Sequence, residues 1–222
     1  MITRIGGDDS SLPRFARAAF AVVVAAATLA ASAVAQRPVK DARAVRLTGP
    51  APQIDGVLDD AAWAAAVPIT DFEEKVPIEG GVPAFQTEVR ILYDDAALYV
   101  GARLFRPDPK DIPVAVTRRD GASNAESLVL SLDTYLDRRT AYSFAISSGG
   151  VRSDYYHGQD SQSDRQYEFD PIWYAKARVD SLGWTAEMRI PFSQLRFGSK
   201  REQVWGLEIE RSIPDRTWTS TG

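Results

Sequence analysis

Four aromatic side chains and a group of carboxylates crowd one polar stretch, His157–Glu168 (HGQDSQSDRQYE). Tyr155 and Tyr156 precede it, and Tyr167 and Phe169 lie at its end. Exposed rings of this kind can bind sugars: the apolar CH face of a pyranose stacks on the ring while polar neighbours satisfy its hydroxyls. Clustering of loop aromatics without a ligand is the competing reading. Asp160, Asp164, Glu168 and Asp170 sit in or beside the same stretch. Several carboxylate oxygens on a flexible segment suit a hard cation, so a structural calcium ion is the candidate metal. Their spacing matches no calcium-loop pattern, and a solvated acidic loop competes with the metal. No cofactor is required by any motif.

Enzymatic chemistry has weaker support. Glycoside hydrolysis needs two carboxyl groups across a cleft. Glu126, Asp133, Glu187, Glu208 and Glu210 are the available acids. Glu187, Glu208 and Glu210, however, alternate with apolar residues and read as the solvent faces of a sheet. His157 is the sole histidine and no G-x-S-x-G elbow accompanies it, so a serine triad has no basis.

The elements that must position these residues are strands. The most regular is Gly183–Leu195 (GWTAEMRIPFSQL), where Trp184, Ala186, Met188 and Ile190 share one face and Thr185, Glu187 and Arg189 the other. That period of two describes a strand buried on one side, and Pro191 ends its ladder. Ser127–Asp133, Ala141–Ser147, Val151–Tyr156, Ile172–Asp180 and Val204–Arg211 alternate in the same way. Phe85–Tyr93 and Leu98–Phe105, joined by Asp94-Asp95-Ala96-Ala97, read as a central hairpin. Ala44–Leu47 and Val114–Thr117 read as minor strands, and Val76–Pro83 as a loop. One short Ala-rich helix carries Trp63, with Asp59 as its N-cap. The sum is an all-β, mostly antiparallel sandwich or jelly roll with one short N-terminal helix. Trp63, Trp173, Trp184 and Trp205 all fall at inward positions and are expected in the core.

Composition sets the compartment. Arg4, Arg14 and Arg17 precede the apolar run Ala18–Ala31, and Ala33-Val34-Ala35 supplies small residues before Gln36. A basic start, a short apolar centre and an A-x-A site describe a cleaved secretory signal peptide over residues 1–35. The run falls short of the ~18–20 apolar residues of a membrane span. Residues 36–52 then form a leader, 53–213 the sandwich and 214–222 a tail. Cleavage removes three arginines and two aspartates, taking the formal charge from −4 to −5. A mildly acidic chain without a Lys/Arg stripe excludes nucleic acid as a partner. No cysteine is present, which removes thiol chemistry and disulfides. A periplasmic, outer-membrane-associated or extracellular monomer is the expected form.

Four segments carry a family resemblance: IDGVLDDAAW, TEVRILYDDAALYVGARLF, SLVLSLDTYLDRRTAYSFAISSGGVRSD and DPIWYAKARVDSLGWTAEMRIPFSQLRF. Together they resemble the carbohydrate-binding module family 9-like domain, in the form found at the N-terminus of exported proteins with a domain of unknown function 5916. The resemblance spans about Gln53 to about Ile213. It implies a β-sandwich that binds sugar chain ends, with a glycan as partner, often beside a glycoside hydrolase. In longer relatives it implies a membrane-barrel region further along the chain, and in some members a structural calcium. The family clamps its sugar with two tryptophans. The first of those positions falls at Ser123-Asn124-Ala125 here, and the second beyond the last strand. The functional expectation is non-catalytic glycan binding. The alternatives are a structural periplasmic domain without sugar binding and a glycoside hydrolase.

Overall fold

Eleven strands form in the order β1 Val45–Arg46, β2 Glu73–Val76, β3 Thr87–Tyr93, β4 Ala97–Phe105, β5 Ser127–Asp133, β6 Ala141–Ser147, β7 Arg152–His157, β8 Tyr174–Asp180, β9 Gly183–Pro191, β10 Gly206–Ile213 and β11 Trp218–Thr221. They come from a computed structural model that describes residues 40–121, 123–159, 161 and 163–214, and the backbone of 218–221. All belong to the unit Asp41–Gly222. Residues 1–35, where a signal peptide is expected, and Asp160 lie outside the described residues.

The strands make two sheets, five-stranded in the order β1-β3-β4-β9-β8 and six-stranded in the order β2-β11-β10-β5-β6-β7. Every pairing is antiparallel except β1 with β3. The all-β sandwich is therefore the observed architecture. Its N-terminal helix is a single 3-10 segment, Ala61–Ala65. The cap is Asp60 rather than Asp59, and its carboxylate accepts from Gln53 N at 2.9 Å instead of capping the helix. Val114–Thr117 forms no strand, and β2 ends where the loop Val76–Pro83 was expected to begin.

The inner faces of the two sheets bury the main core. Val89 and Ile91 of β3, Leu98, Val100, Ala102 and Leu104 of β4, and Trp184, Ala186, Met188 and Ile190 of β9 meet Leu128, Leu130 and Leu132 of β5, Phe144 and Ile146 of β6, and Ile209 of β10. Side-chain alternation puts one set from each strand into this layer, as period two requires. Trp173 and Trp184 are wholly buried within it, whereas Trp205 is half-buried at its rim, edge-on to Phe192 and tilted against Phe197.

A second, smaller core lies on the outer face of the five-stranded sheet. There Trp63 and Ala66 pack on Leu92, Ala97 and Tyr99, flanked by Ile54 and Leu58. Gly101 makes the contact fit, since a Cβ there would come within 3.0 Å of the Trp63 ring. Residues 54–66 thus strap across the sheet. This overturns the one-sided reading of β9, whose polar residues Thr185 and Glu187 are also buried, at 1% and 0% exposure. Thr185 Oγ1 donates to Gly56 O at 2.6 Å. Glu187 does not face solvent, because the strap covers it.

Candidate glycan-binding face

Burying an indole usually obliges its N–H to find an acceptor. Each of the three tryptophans buried among the described residues solves this with a buried carboxylate. Trp63 Nε1 donates to Glu187 Oε1 at 3.0 Å, Trp173 Nε1 to Asp154 Oδ1 at 2.9 Å, and Trp184 Nε1 to Glu126 Oε2 at 2.9 Å. Glu187 Oε2 also accepts from Asp55 N and Gly56 N at 3.0 and 2.7 Å. Asp154 Oδ1 takes Arg119 Nε and an Arg119 terminal nitrogen at 2.9 and 2.7 Å. Burial pushes both the Glu187 and Asp154 carboxyls above their ordinary range, against these donors. Glu126, one of the acids considered for hydrolysis, accepts from Arg211 at 3.0 Å and forms an ion pair with Arg106 at 3.1 Å. Asp133 accepts the backbone N–H groups of Tyr135, Asp137 and Arg138 in the turn after β5. Glu126, Glu187 and Asp154 are thus committed to holding the core together, and Asp133 to a turn.

The outer face of the six-stranded sheet is different. Register across four strands sets Glu208 beside Ser131, Ser131 beside Ser143 and Ser143 beside Tyr155. Directly opposed residues share a face, so these side chains form one row. The two serines are joined at 2.8 Å, Oγ to Oγ. Small residues leave room above the sheet, and the polar stretch after β7 folds back into that room. Gln166 pairs with Tyr156 through two backbone bonds of 3.1 and 2.9 Å. This bridge carries Arg165 over the Tyr155 ring, 4.8 Å to the centroid, and sets the Tyr167 ring edge-on to it at 5.6 Å. The His157 ring meets Tyr155 at 5.2 Å, its Nδ1 lying 3.1 Å from Ser161 O. Beyond the serines, Lys75 stands 3.6 Å from Glu208 and 3.7 Å from Glu210. Burial pushes the Tyr155 hydroxyl and the Glu210 carboxyl up.

The four aromatic candidates therefore divide into two pairs. Tyr155 and Tyr167 come together on this outer face, but Tyr155 is buried at 4% exposure beneath Arg165 and Tyr167, against the expectation of an open ring, and Tyr167 is the ring left exposed. Tyr156 and Phe169 turn to the opposite side, where both rings sit 5.1 Å from Tyr142 and Phe169 reaches Phe144. The acidic candidates do not converge either. Asp164 accepts from Gly158 N at 3.2 Å, and Asp170 pairs with Arg119 at 2.8 Å. Among the described residues no group of three or more His, Cys, Asp or Glu side chains could hold a metal ion.

Arg165, Ser131, Ser143 and Lys75 belong to the face without having been singled out in the sequence. The alternation of serines along β5 and β6 was the available signal for two of them.

No protein-family profile matches the chain, and no curated protein does. Solved structures do. A carbohydrate-binding module family 9 domain from Caldicellulosiruptor kristjanssonii, in complex with cellotriose, superposes with a TM-score of 0.56 at 18% identity, covering 81% of this chain and 83% of that one. The same module in complex with glucose gives 0.56 and 18%, covering 81% and 85%. This chain has the family 9 carbohydrate-binding module fold. Within that fold, the segment Ser123-Asn124-Ala125 puts no aromatic ring at the position where the resemblance implied a clamp tryptophan.

Proposed function

We propose that this protein is a non-catalytic glycan-binding module that contacts sugar through the outer face of the six-stranded sheet. The observation carrying this reading is the assembly of Tyr155, Tyr167 and Arg165 above the Ser131–Ser143 row. The exposed Tyr167 ring offers a surface for the CH face of a sugar, with the exposed Arg165 guanidinium as donor and the exposed Glu208 carboxylate as acceptor on the same face. The fold supports the choice of ligand class, since the structures it resembles hold cellotriose and glucose. Glu208 and Glu210 project from one strand beside the same lysine. That placement suits accepting sugar hydroxyls, not flanking a glycosidic bond from two sides.

We further infer that the module is exported by the signal peptide 1–35 and works outside the cytoplasm, in a protein linked to polysaccharide breakdown. N-terminal sequencing of the protein recovered from the cell envelope or medium is expected to begin at Gln36. A secreted form beginning at Met1 would exclude cleavage.

Calorimetric titration with cellotriose tests the binding reading. Tyr167 is 45% exposed, so Tyr167→Ala is expected to leave the melting temperature unchanged. Its affinity for cellotriose should fall about ten-fold, or ~1.4 kcal/mol. No heat across a panel of neutral and acidic oligosaccharides would instead mark a purely structural domain.

A further inference from the structure

A cavity of about 860 Å³ runs along the edge strand β8, away from the serine row. Ile54 of the strap, Gly150 of the β6–β7 turn, Arg152 of β7, Tyr174 and Lys176 of β8 and Arg189 of β9 are among the residues that line it. Its size lies within the range of small-ligand sites. Its charge is one-sided: Arg152, Lys176 and Arg189 line it and no carboxylate does, on a chain whose net charge is −4.

The neighbouring acids are already engaged. Glu187 stands opposite Lys176 in the β8–β9 register, yet its two oxygens take N–H groups from Asp55, Gly56 and Trp63. Asp94, whose charge acts on Arg189, accepts from the amides of Ala96 and Ala97 and from the Tyr99 hydroxyl. Lys176 forms no ion pair with any described residue. The two arginines, by contrast, are fixed in place. Arg189 lies 6.0 Å over the Tyr99 ring and 5.8 Å over the Tyr174 ring. Arg152 lies 5.7 Å over the Trp173 ring and donates to the Trp173 carbonyl. Tyr174 is 52% exposed, so part of its ring remains open to the cavity.

Preorganised cations beside an open ring select a ligand that is both anionic and ring-shaped. We propose that the β8 groove binds a hexuronate unit of an acidic oligosaccharide, its carboxylate between Lys176 and Arg189 and its ring against Tyr174. The glycan-binding reading supplies only the ligand class. The groove is a second site, separate from the Tyr155–Tyr167 face.

The test is titration of the intact protein with trigalacturonate, with its methyl ester, and with cellotriose. The double variant Tyr174→Ala/Lys176→Ala changes only exposed side chains. It is expected to bind trigalacturonate at least ten-fold more weakly and cellotriose as before. The methyl ester should bind the unaltered protein weakly, and raising NaCl from about 0.05 to 0.5 M should weaken the acid form. Equal trigalacturonate affinity in the double variant, or equal binding of acid and ester, would overturn the proposal. Cellotriose binding without any uronate response sinks this site alone. Uronate binding that depends on Lys176, without any cellotriose response, sinks the other face alone.

Discussion

A tyrosine and the residue after it on a strand must face opposite ways, so Tyr155 and Tyr156 could never have formed one platform. That much was legible before any coordinates. The role of Glu187 was not, because strand periodicity reports which face a side chain takes and not what later covers that face. Its sequence position on β9 resembles that of Glu210 on β10, yet one lies under a strap and the other is part-buried beside Lys75. Glu210 yields a pH prediction. Burial raises its carboxyl, with Lys75 opposing and Glu208 adding to the rise. A carboxyl raised in the folded state holds its proton more tightly there than when unfolded. It therefore contributes stability that is fully present below the unfolded value of 4.5 and is lost as pH rises through the folded value. Glu210→Gln removes this titration. The urea midpoint of the variant, relative to the unaltered protein, is expected to climb as pH rises above about 4.5. A difference that stays constant with pH would show that Glu210 titrates alike in both states.

At the scale of elements, β5 and β6 were read to the residue, as Ser127–Asp133 and Ala141–Ser147. Their alternation is clean, and turn chemistry bounds both ends. The Gly183 start of β9 was equally legible: it sits at φ +141°, where a Cβ would lie 2.1 Å from Leu104 O. The strap was not legible. Residues 54–66 have little periodicity of their own and are held through β9, more than 120 positions along the chain. Glu187→Gln tests how much that anchor matters. A glutamine presents one acceptor and one donor, and so turns an N–H toward N–H groups that the carboxylate now satisfies. Leaving buried donors unmatched costs about 3 kcal/mol. For a chain of this size that lowers the melting temperature by roughly 6–12 °C. Amide hydrogen exchange over 54–66 should accelerate ahead of the rest of the protein. A variant that melts with the unaltered protein would show that Trp63 packing alone holds the strap.

The whole molecule depends on how the two sheets are joined, and sequence patterning is silent on that because it carries no information about strand order. Arg211 belongs to β10 in the six-stranded sheet and is 1% exposed. Its guanidinium crosses to the other sheet, donating to Gln86 O, Thr87 Oγ1 and Phe105 O at 3.2, 3.2 and 3.0 Å. It also binds Glu126, which Arg106 approaches from the other side. Both arginines lie over the Phe85 ring. Burial pulls the Arg211 pKa down while Glu126 opposes the shift, so the charge is retained by its partner rather than by water. A charge held in this way resists replacement of one member alone. Arg211→Met keeps most of the volume but deprives two backbone carbonyls and one buried carboxylate of a donor. Losing one partner of a buried pair costs roughly 3–5 kcal/mol. The urea midpoint should fall accordingly with an unchanged slope, since the two sheets still unfold together. Added salt should leave the loss as it is, because ions screen exposed charges and not this one. Were the deficit to shrink in about 0.5 M NaCl, the arginine would be acting from the surface and the sheets would be joined by apolar packing alone.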